Sequence, residues 1–248
     1  MKILAIDCGN TRIKWGYWDG VSWTRLGAVS HIGLGELQNA FSSLPEPQRI
    51  VVANVAGADI AWQIESLCKP IAVPVSWVKP QGEQCGVSNG YAEPAQLGVD
   101  RWAALIGAWH HQHGACLVVG AGTATTIDLL SSSGQFCGGV ILPGLALMKR
   151  SLAENTAQLP LAQGAYVPEP RDTADAIESG VLHAQSGAIE RLFAHLTAAE
   201  LRHGRSTPVA CLISGGAAAP IAACLAIPYR LVDQLVLDGL GRIAESLS

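Results

Sequence analysis

The feature that most constrains the fold of this chain is a pattern that occurs twice. In each copy an apolar strand enters a short turn of glycine and small polar residues, and a second strand follows directly. The first copy spans residues 5–13 and the second spans residues 118–126. Either copy alone fits an ordinary hairpin, because glycine and asparagine tolerate the positive φ of tight turns. Repetition at this distance indicates that the chain consists of two related halves.

The first turn contains residue types that suit a nucleotide phosphate. Gly9 has no side chain that would hold a ligand away, and Asn10 and Thr11 offer hydrogen-bond donors. Asp7 places a carboxylate at the end of a strand, where it can meet a metal ion bound to phosphate. Two such turns facing each other could hold a triphosphate through backbone N–H groups and hydroxyls.

The composition favours a small metabolite as the partner. The 248 residues suffice for one large domain or for two of about 110–130 residues, each able to bury a core. Hydrophobic residues make up 49% and charged residues 15% of the chain, which describes a compact and largely buried protein. The formal charge of −4 and the lack of a Lys/Arg cluster argue against a nucleic-acid surface, which needs concentrated positive charge.

The sequence also predicts a cytoplasmic protein with no membrane partner. The opening apolar run at residues 3–6 is interrupted by Asp7, unlike a secretory signal. No apolar stretch approaches the roughly 20 residues that span a bilayer. The seven cysteines form no Cys-x-x-Cys pair, which favours free thiols in a reducing cytosol over disulfides or a zinc site.

The predicted secondary structure follows a similar order in both halves. In the first half we predict strands over 3–7, 13–18, 21–28, 50–54 and 73–78, and helices over 33–41, 58–68 and 100–111. In the second half we predict strands over 115–119, 125–130, 135–142, 209–214 and 227–232, and helices after 143–144, from 171–173 and over 233–247. A meander followed by alternating helices and parallel strands is typical of the ribonuclease-H-like fold.

Four motifs follow one another along nearly the whole chain. They are Asp7-x-Gly9-Asn10-Thr11-Arg12, Asn89-Gly90-Tyr91 with Pro94 and Gln96-Leu97-Gly98-Val99-Asp100-Arg101, Gly122-Thr123-Ala124-Thr125-Thr126-x-Asp128, and Gly138-Gly139-x-Ile141-x-Pro143-Gly144. Together they resemble the type III pantothenate kinases, a family of the acetate and sugar kinase, Hsc70 and actin superfamily.

The resemblance implies an α/β protein with a duplicated ribonuclease-H-like (actin-like ATPase) fold. Two similar domains, over 1–112 and 113–248, would enclose a nucleotide cleft between them. It further implies ATP-dependent phosphorylation of pantothenate at its primary hydroxyl, the first step of coenzyme A synthesis, by a cytosolic homodimer.

The resemblance also assigns residues to pantothenate. Asp100 would be the general base, while Arg101, with Gly98 and Val99, would bind the substrate; as a cation Arg101 can grip a carboxylate or amide with a forked donor pattern. From the residues alone, Asp100 equally fits a helix N-cap. Two further substrate contacts are implied, Tyr91 and, across the dimer interface, Thr173. For Thr173 the alternative is that it only caps the helix that it begins.

The two turns would bind ATP and magnesium. The residues implied in the first turn are Asp7, Cys8, Gly9, Asn10, Thr11, Arg12, Ile13 and Lys14, and those in the second are Gly122 and Thr123. Asp7 would orient Mg²⁺ at the phosphates. The strand pattern by itself places Lys14 on an exposed face.

One position departs from the family pattern. Where the family has an aspartate that binds an activating potassium or ammonium ion, this chain has Gly120. A glycine offers only its carbonyl, so we predict weakened or absent potassium dependence, with Asp128 as the other carboxylate to consider. Gly120 also keeps open a catalytically weak homologue that acts as a regulatory accessory protein. An actin-like assembly protein is the other alternative, although the short chain leaves little room for polymerisation insertions.

Three histidines lie close together in the sequence, at positions 110, 111 and 113, and such a cluster can bind a metal ion. Neighbouring helical residues point to different faces, and no cysteine or carboxylate accompanies these histidines at ligand spacing. We therefore expect a polar helix end at this point.

Overall fold

Two mixed β-sheets organise the computed structural model, which describes residues 1–159, 161, 163–205 and 208–247. The chain divides into two units. The first contains residues 1–111 and the C-terminal segment from Gln234, and the second contains residues 112–233.

The first unit is built on a five-stranded sheet. The elements of this unit are β1 (Ile3–Cys8), β2 (Arg12–Trp18), β3 (Trp23–Ser30), α1 (Leu34–Ser42), β4 (Arg49–Asn54), α2 (Ala58–Cys68), β5 (Val75–Trp77), the hairpin strands β6 (Glu83–Gln84) and β7 (Val87–Asn89), and α3 (Val99–His111). Strands β1 to β5 form the five-stranded sheet. The sheet order is β3-β2-β1-β4-β5. The central strand β1 runs antiparallel to β2 and parallel to β4, and every one of its residues is buried. A strand covered on both faces accounts for the continuous apolar run at the start of the sequence.

The second unit repeats this arrangement. Its elements are β8 (Cys116–Ala121), β9 (Ala124–Leu130), β10 (Gln135–Pro143), α4 (Leu145–Asn155), α5 (Thr173–Arg202), β11 (Ala210–Ser214), α6 (Ala218–Ala222) and β12 (Arg230–Leu231). Strand β8 runs antiparallel to β9 and parallel to β11, just as β1 pairs with β2 and β4. The predicted duplicated ribonuclease-H-like fold is therefore confirmed.

Each unit has its own hydrophobic core. The first core includes Leu4, Ile6, Ile13, Ile50, Val52 and Ile64, and the second includes Leu117, Val119, Ile127, Ile189, Ile213 and Ile221. Among the described residues, no helix combines the length and apolar character needed to cross a bilayer.

The last helix, α7 (Leu235–Ser246), differs from the expected domain division because it packs in the first unit. Its backbone comes very close to α3. A Cβ on Gly239 would lie 1.8 Å from the carbonyl oxygen of Ala103, and one on Gly107 would lie 2.2 Å from that of Leu235. The expected boundary assigned all of 113–248 to the second domain, whereas α7 buries its apolar face beside α3.

Candidate active site

The first glycine turn connects β1 to β2. The Gly9 N–H donates to the carbonyl of Arg12 at 3.1 Å, and a Cβ on Gly9 would lie 3.2 Å from that same oxygen. Asn10, Thr11 and Arg12 are exposed. The turn thus presents polar side chains to solvent, while its glycine keeps the backbone tight.

The side chains of the two predicted residues that flank this turn, Cys8 and Ile13, cannot reach a ligand. Cys8 and Ile13 are completely buried in the first core. The carbonyl of Cys8 also accepts a hydrogen bond from the Val55 N–H at 3.0 Å. Any contribution of these two residues to nucleotide binding must come from the position that their backbone gives the turn.

Asp7 is a buried carboxylate with an unsatisfied oxygen. Its side chain is 9% exposed, and its Oδ1 atom is buried without a hydrogen-bond partner. Burial first, and then the nearby charge of Asp100, raise the pKa of Asp7 to about 7, while Lys14 acts in the opposite direction. Unpartnered carboxylate oxygens are what hard divalent cations bind, so Asp7 fits the Mg²⁺ role that the sequence predicts.

Lys14 lies directly across the sheet from Asp7. The two residues are paired in the register of β1 and β2, and Lys14 is half-buried. The strand pattern alone would have placed Lys14 on an exposed face. The positive charge of its ammonium instead acts on Asp7, whose pKa it lowers.

Asp100 lies in the first turn of α3, so it is inside the helix and not at its N-cap. Its Oδ1 accepts the N–H of Arg101 at 2.9 Å. A Cβ on Gly98 would lie 2.7 Å from this oxygen. Glycine at position 98 therefore leaves the space in which the Asp100 carboxylate sits.

Arg101 and Tyr91 form the second part of this cluster. Arg101 is 6% exposed, and its Nη1 donates to the Tyr91 hydroxyl at 3.2 Å. The side chain of Asn89 accepts the Tyr91 N–H at 3.1 Å and donates to the carbonyl of Pro94 at 3.3 Å. The loop between β7 and α3 is thereby folded so that its tyrosine meets the buried guanidinium.

The second glycine turn connects β8 to β9, with Gly122 and Thr123 exposed. The Gly122 N–H donates to the carbonyl of Ala124 at 3.0 Å. The Gly144 N–H donates to the carbonyl of Thr123 at 2.9 Å, and a Cβ on Gly144 would lie 2.2 Å from the Gly122 carbonyl oxygen. The Pro143-Gly144 motif therefore packs closely against the backbone of the second turn and holds it by a hydrogen bond.

Gly120 lies within β8, opposite Thr126 on β9. A Cβ at this position would lie 2.8 Å from Oγ1 of Thr126. Asp128 is buried two residues further along β9, opposite Val118. Position 120 itself offers no charged ligand for a monovalent cation, and the Thr126 hydroxyl lies where the stem of an aspartate would begin.

Thr173 is the first residue of α5 and is exposed. The helix is capped by Asp172, whose side chain accepts the Asp175 N–H at 3.0 Å. Thr173 borders an apolar groove of about 360 Å³ in the second unit, with Met148 and Ile177 among the lining residues. Thr173 is thus not the cap.

The histidines at the end of α3 pair with α7. His111 Nε2 lies 2.7 Å from Oδ2 of Asp238, and His110 contacts Arg242. These residues border a cavity of about 330 Å³ beside Ile3, at the opposite end of β1 from Asp7. Within the described part of the chain no group of three or more metal-ligating side chains occurs.

Sequence reasoning missed one histidine that belongs to the first turn. His31 Nε2 lies 2.8 Å from the carbonyl oxygen of Gly9. His31 follows β3 and belongs to none of the four motifs, so no local pattern in the sequence marks it.

Comparison with known proteins gives a consistent result. The family model described as type III pantothenate kinase matches residues 3–195. Proteins named type III pantothenate kinase from Aromatoleum aromaticum and Dechloromonas aromatica are 51% and 47% identical to this chain, each over 98% of both chains.

Solved structures share the fold at low identity. A conserved putative Baf family transcriptional activator from Campylobacter jejuni has a TM-score of 0.62 at 20% identity, over 98% of both chains. A putative 2-dehydro-3-deoxygalactonokinase from Sinorhizobium meliloti has a TM-score of 0.54 at 15% identity, over 99% of both chains.

Proposed function

The chain belongs to the type III pantothenate kinase family, and from this premise we propose that it transfers the γ-phosphoryl group of ATP to the primary hydroxyl of pantothenate. This reaction is the first step of coenzyme A synthesis. The observation that carries the proposal for the site is the cluster in the first unit, where Asp100 adjoins the buried Arg101 and raises the pKa of Asp7.

Asp100 is the general base in this proposal. Phosphoryl transfer requires positioned reactants, neutralised phosphate charge and an acceptor for the proton of the hydroxyl. The space left by Gly98 and the N–H of Arg101 hold the Asp100 carboxylate in one orientation. A carboxylate that is held in place is suited to take the hydroxyl proton of an oriented substrate.

Arg101 and Tyr91 bind pantothenate, together with the backbone of Gly98 and Val99. The guanidinium has a planar fork of donors that matches a carboxylate or an amide oxygen, and burial strengthens such hydrogen bonds. The Tyr91 hydroxyl accepts a hydrogen bond from Nη1 of Arg101, and this bond helps to orient the guanidinium.

The two glycine turns bind ATP. Asn10, Thr11, Arg12 and Lys14 contribute from the first turn and its second strand, and Gly122 and Thr123 contribute from the second turn. Asp7 holds Mg²⁺, which supplies positive charge to the phosphates. A bound Mg²⁺ would favour the ionised form of the Asp7 carboxylate, whose pKa is raised in the metal-free protein.

The proposal includes a cytoplasmic homodimer in which Thr173 reaches pantothenate. Its support is the exposed position of Thr173 at the start of α5, beside an apolar groove. All seven cysteines are free thiols, as expected in a reducing compartment.

A coupled ADP-release assay with Mg-ATP and pantothenate tests the function. We expect pantothenate-dependent turnover that falls by about 100-fold or more in Asp100→Asn, because the proton acceptor is lost. Asp19→Asn is the matched control, since Asp19 is an exposed aspartate in the turn between β2 and β3. Nucleotide binding without turnover by the unaltered protein would overturn the proposal and favour a non-catalytic accessory homologue.

A further inference from the structure

We propose that His31 is a positioning residue for ATP, which orients the first glycine turn by holding the carbonyl of Gly9. The inference rests on the proposed function, because it assumes that this turn binds the nucleotide phosphates. His31 belongs to no motif of the chain, and its own side chain is not required to touch the ligand.

The hydrogen bond fixes which atom carries the proton. His31 Nε2 lies 2.8 Å from the Gly9 carbonyl oxygen. A carbonyl oxygen can only accept, so Nε2 is the donor. The neutral ring with its hydrogen on Nε2 and the protonated ring both satisfy this requirement.

The sheet brings His31 to the turn. The paired register of β1 and β2 ends at Cys8 and Ile13, so the Gly9 carbonyl lies beyond the last rung of this ladder. On the other side of β2, Arg12 is paired with Ser30 on β3. His31 follows Ser30 directly and opens the short 3₁₀ turn His31–Gly33, which places the imidazole beside the glycine turn.

The consequence is the orientation of one peptide group. The described peptide bonds are all trans, so the carbonyl of Gly9 and the N–H of Asn10 lie in one peptide plane and point in opposite directions. When His31 holds the carbonyl, the Asn10 N–H is directed away from His31. Glycine has more backbone freedom than any other residue, so without this bond the peptide can rotate away from that orientation.

The nucleotide therefore meets an N–H group that is already oriented, and less ordering is needed on binding. Pantothenate has no such dependence, since the residues proposed for it lie on α3, on the loop before α3 and at the start of α5. The effect of His31 should accordingly appear in the affinity for ATP and not in the affinity for pantothenate.

The test compares His31→Ala and His31→Gln with the unaltered enzyme. We expect His31→Ala to raise KM for ATP, and the dissociation constant for Mg-AMP-PNP measured by calorimetry, by about fivefold, the value of one ordinary hydrogen bond. KM for pantothenate should stay close to that of the unaltered enzyme, and the melting temperature should fall only by the roughly 2–4 °C that the loss of one hydrogen bond causes. His31→Gln restores a side-chain N–H donor and should recover part of the loss.

His203→Ala is the matched control. His203 Nδ1 lies 2.8 Å from the carbonyl of Ala199 at the end of α5, which is the same kind of bond outside both glycine turns. This variant should keep both KM values.

Three results separate the possibilities. If His31→Ala binds Mg-AMP-PNP as tightly as the unaltered enzyme, the positioning role is wrong. An equal rise in KM for both substrates would also overturn it, because that is the signature of a general structural role. If the unaltered protein binds Mg-AMP-PNP more tightly than His31→Ala does but never phosphorylates pantothenate, the positioning role stands and the proposed function fails.

Discussion

The charge of Asp100 raises the pKa of Asp7, although the two residues come from distant parts of the chain. Asp7 is the penultimate residue of β1, and Asp100 lies in the first turn of α3. Burial of Asp7 is the larger cause of its raised pKa, and Lys14 opposes both effects. With a pKa of about 7, the carboxylate is poised to lose its proton when a cation binds near neutral pH.

The first prediction concerns stability without metal. An aspartate titrates near 3.8 in the unfolded chain, whereas Asp7 titrates at about 7 in the folded protein. Well below pH 3.8 this carboxyl is protonated in both states, and it then has no effect on stability. As pH rises from 4 to 7 the unfolded state is favoured progressively, by at most about 4 kcal/mol. Asp7→Asn should therefore be more stable than the unaltered protein at pH 8 and equally stable near pH 4, as measured by urea unfolding in EDTA.

In the same experiment Asp19→Asn should change the free energy of unfolding in the opposite direction. The N–H groups of Ser22 and Val21 lower the pKa of Asp19, so its ionised form stabilises the fold above the pKa of the unfolded chain. This variant should be slightly less stable than the unaltered protein at pH 8, and the difference should vanish as pH falls through the lowered pKa.

A stability difference between Asp7→Asn and the unaltered protein that is the same at pH 5 and pH 8 would contradict the raised pKa of Asp7.

The fold was predictable because its signals are local and repeated. A continuous apolar run marks β1, and the two glycine turns mark where each half begins. The place of α7 was not predictable in this way, since the close approach of Gly239 to Ala103 is a contact between distant segments. The same limit hid His31, whose partner Gly9 is recognisable only once β3 is paired with β2.

The second prediction tests the Tyr91 hydroxyl. Tyr91→Phe removes one hydrogen-bond partner of a buried guanidinium while keeping the ring beneath it. Since hydrogen bonds to charged groups are stronger than neutral ones, KM for pantothenate should rise by about tenfold. KM for ATP should not change. Tyr229→Phe, which alters a more exposed tyrosine, is the control, and equal kinetics for the two variants would show that Tyr91 does not orient Arg101 for substrate.

The third prediction concerns monovalent cations. With Gly120 in place of a carboxylate, exchange of potassium for sodium should leave kcat/KM of the unaltered enzyme essentially unchanged. Gly120→Asp alone should not create the dependence, because its Cβ would lie 2.8 Å from Oγ1 of Thr126. Kinetics in matched chloride salts decide the matter. Steep, saturable activation by potassium in the unaltered enzyme would refute the prediction and direct attention to Asp128.

The fourth prediction tests how Pro143-Gly144 supports the second turn. Gly144→Ala puts a methyl group 2.2 Å from the Gly122 carbonyl oxygen, so the turn must shift. We expect a loss of about 1–3 kcal/mol in the free energy of unfolding, together with a higher KM for ATP. Gly187→Ala is the matched control, since a Cβ on this exposed residue of α5 meets no atom within 4 Å.

Gly187→Ala should gain about 0.4–1 kcal/mol, because alanine has less backbone freedom to lose in a helix. The two variants add the same methyl group at opposite extremes of available space, so urea unfolding separates crowding at the turn from the general effect of replacing glycine. If Gly144→Ala loses stability but keeps its KM for ATP, the shifted turn does not contact the nucleotide. In that case Gly122 and Thr123 must be removed from the proposed ATP site.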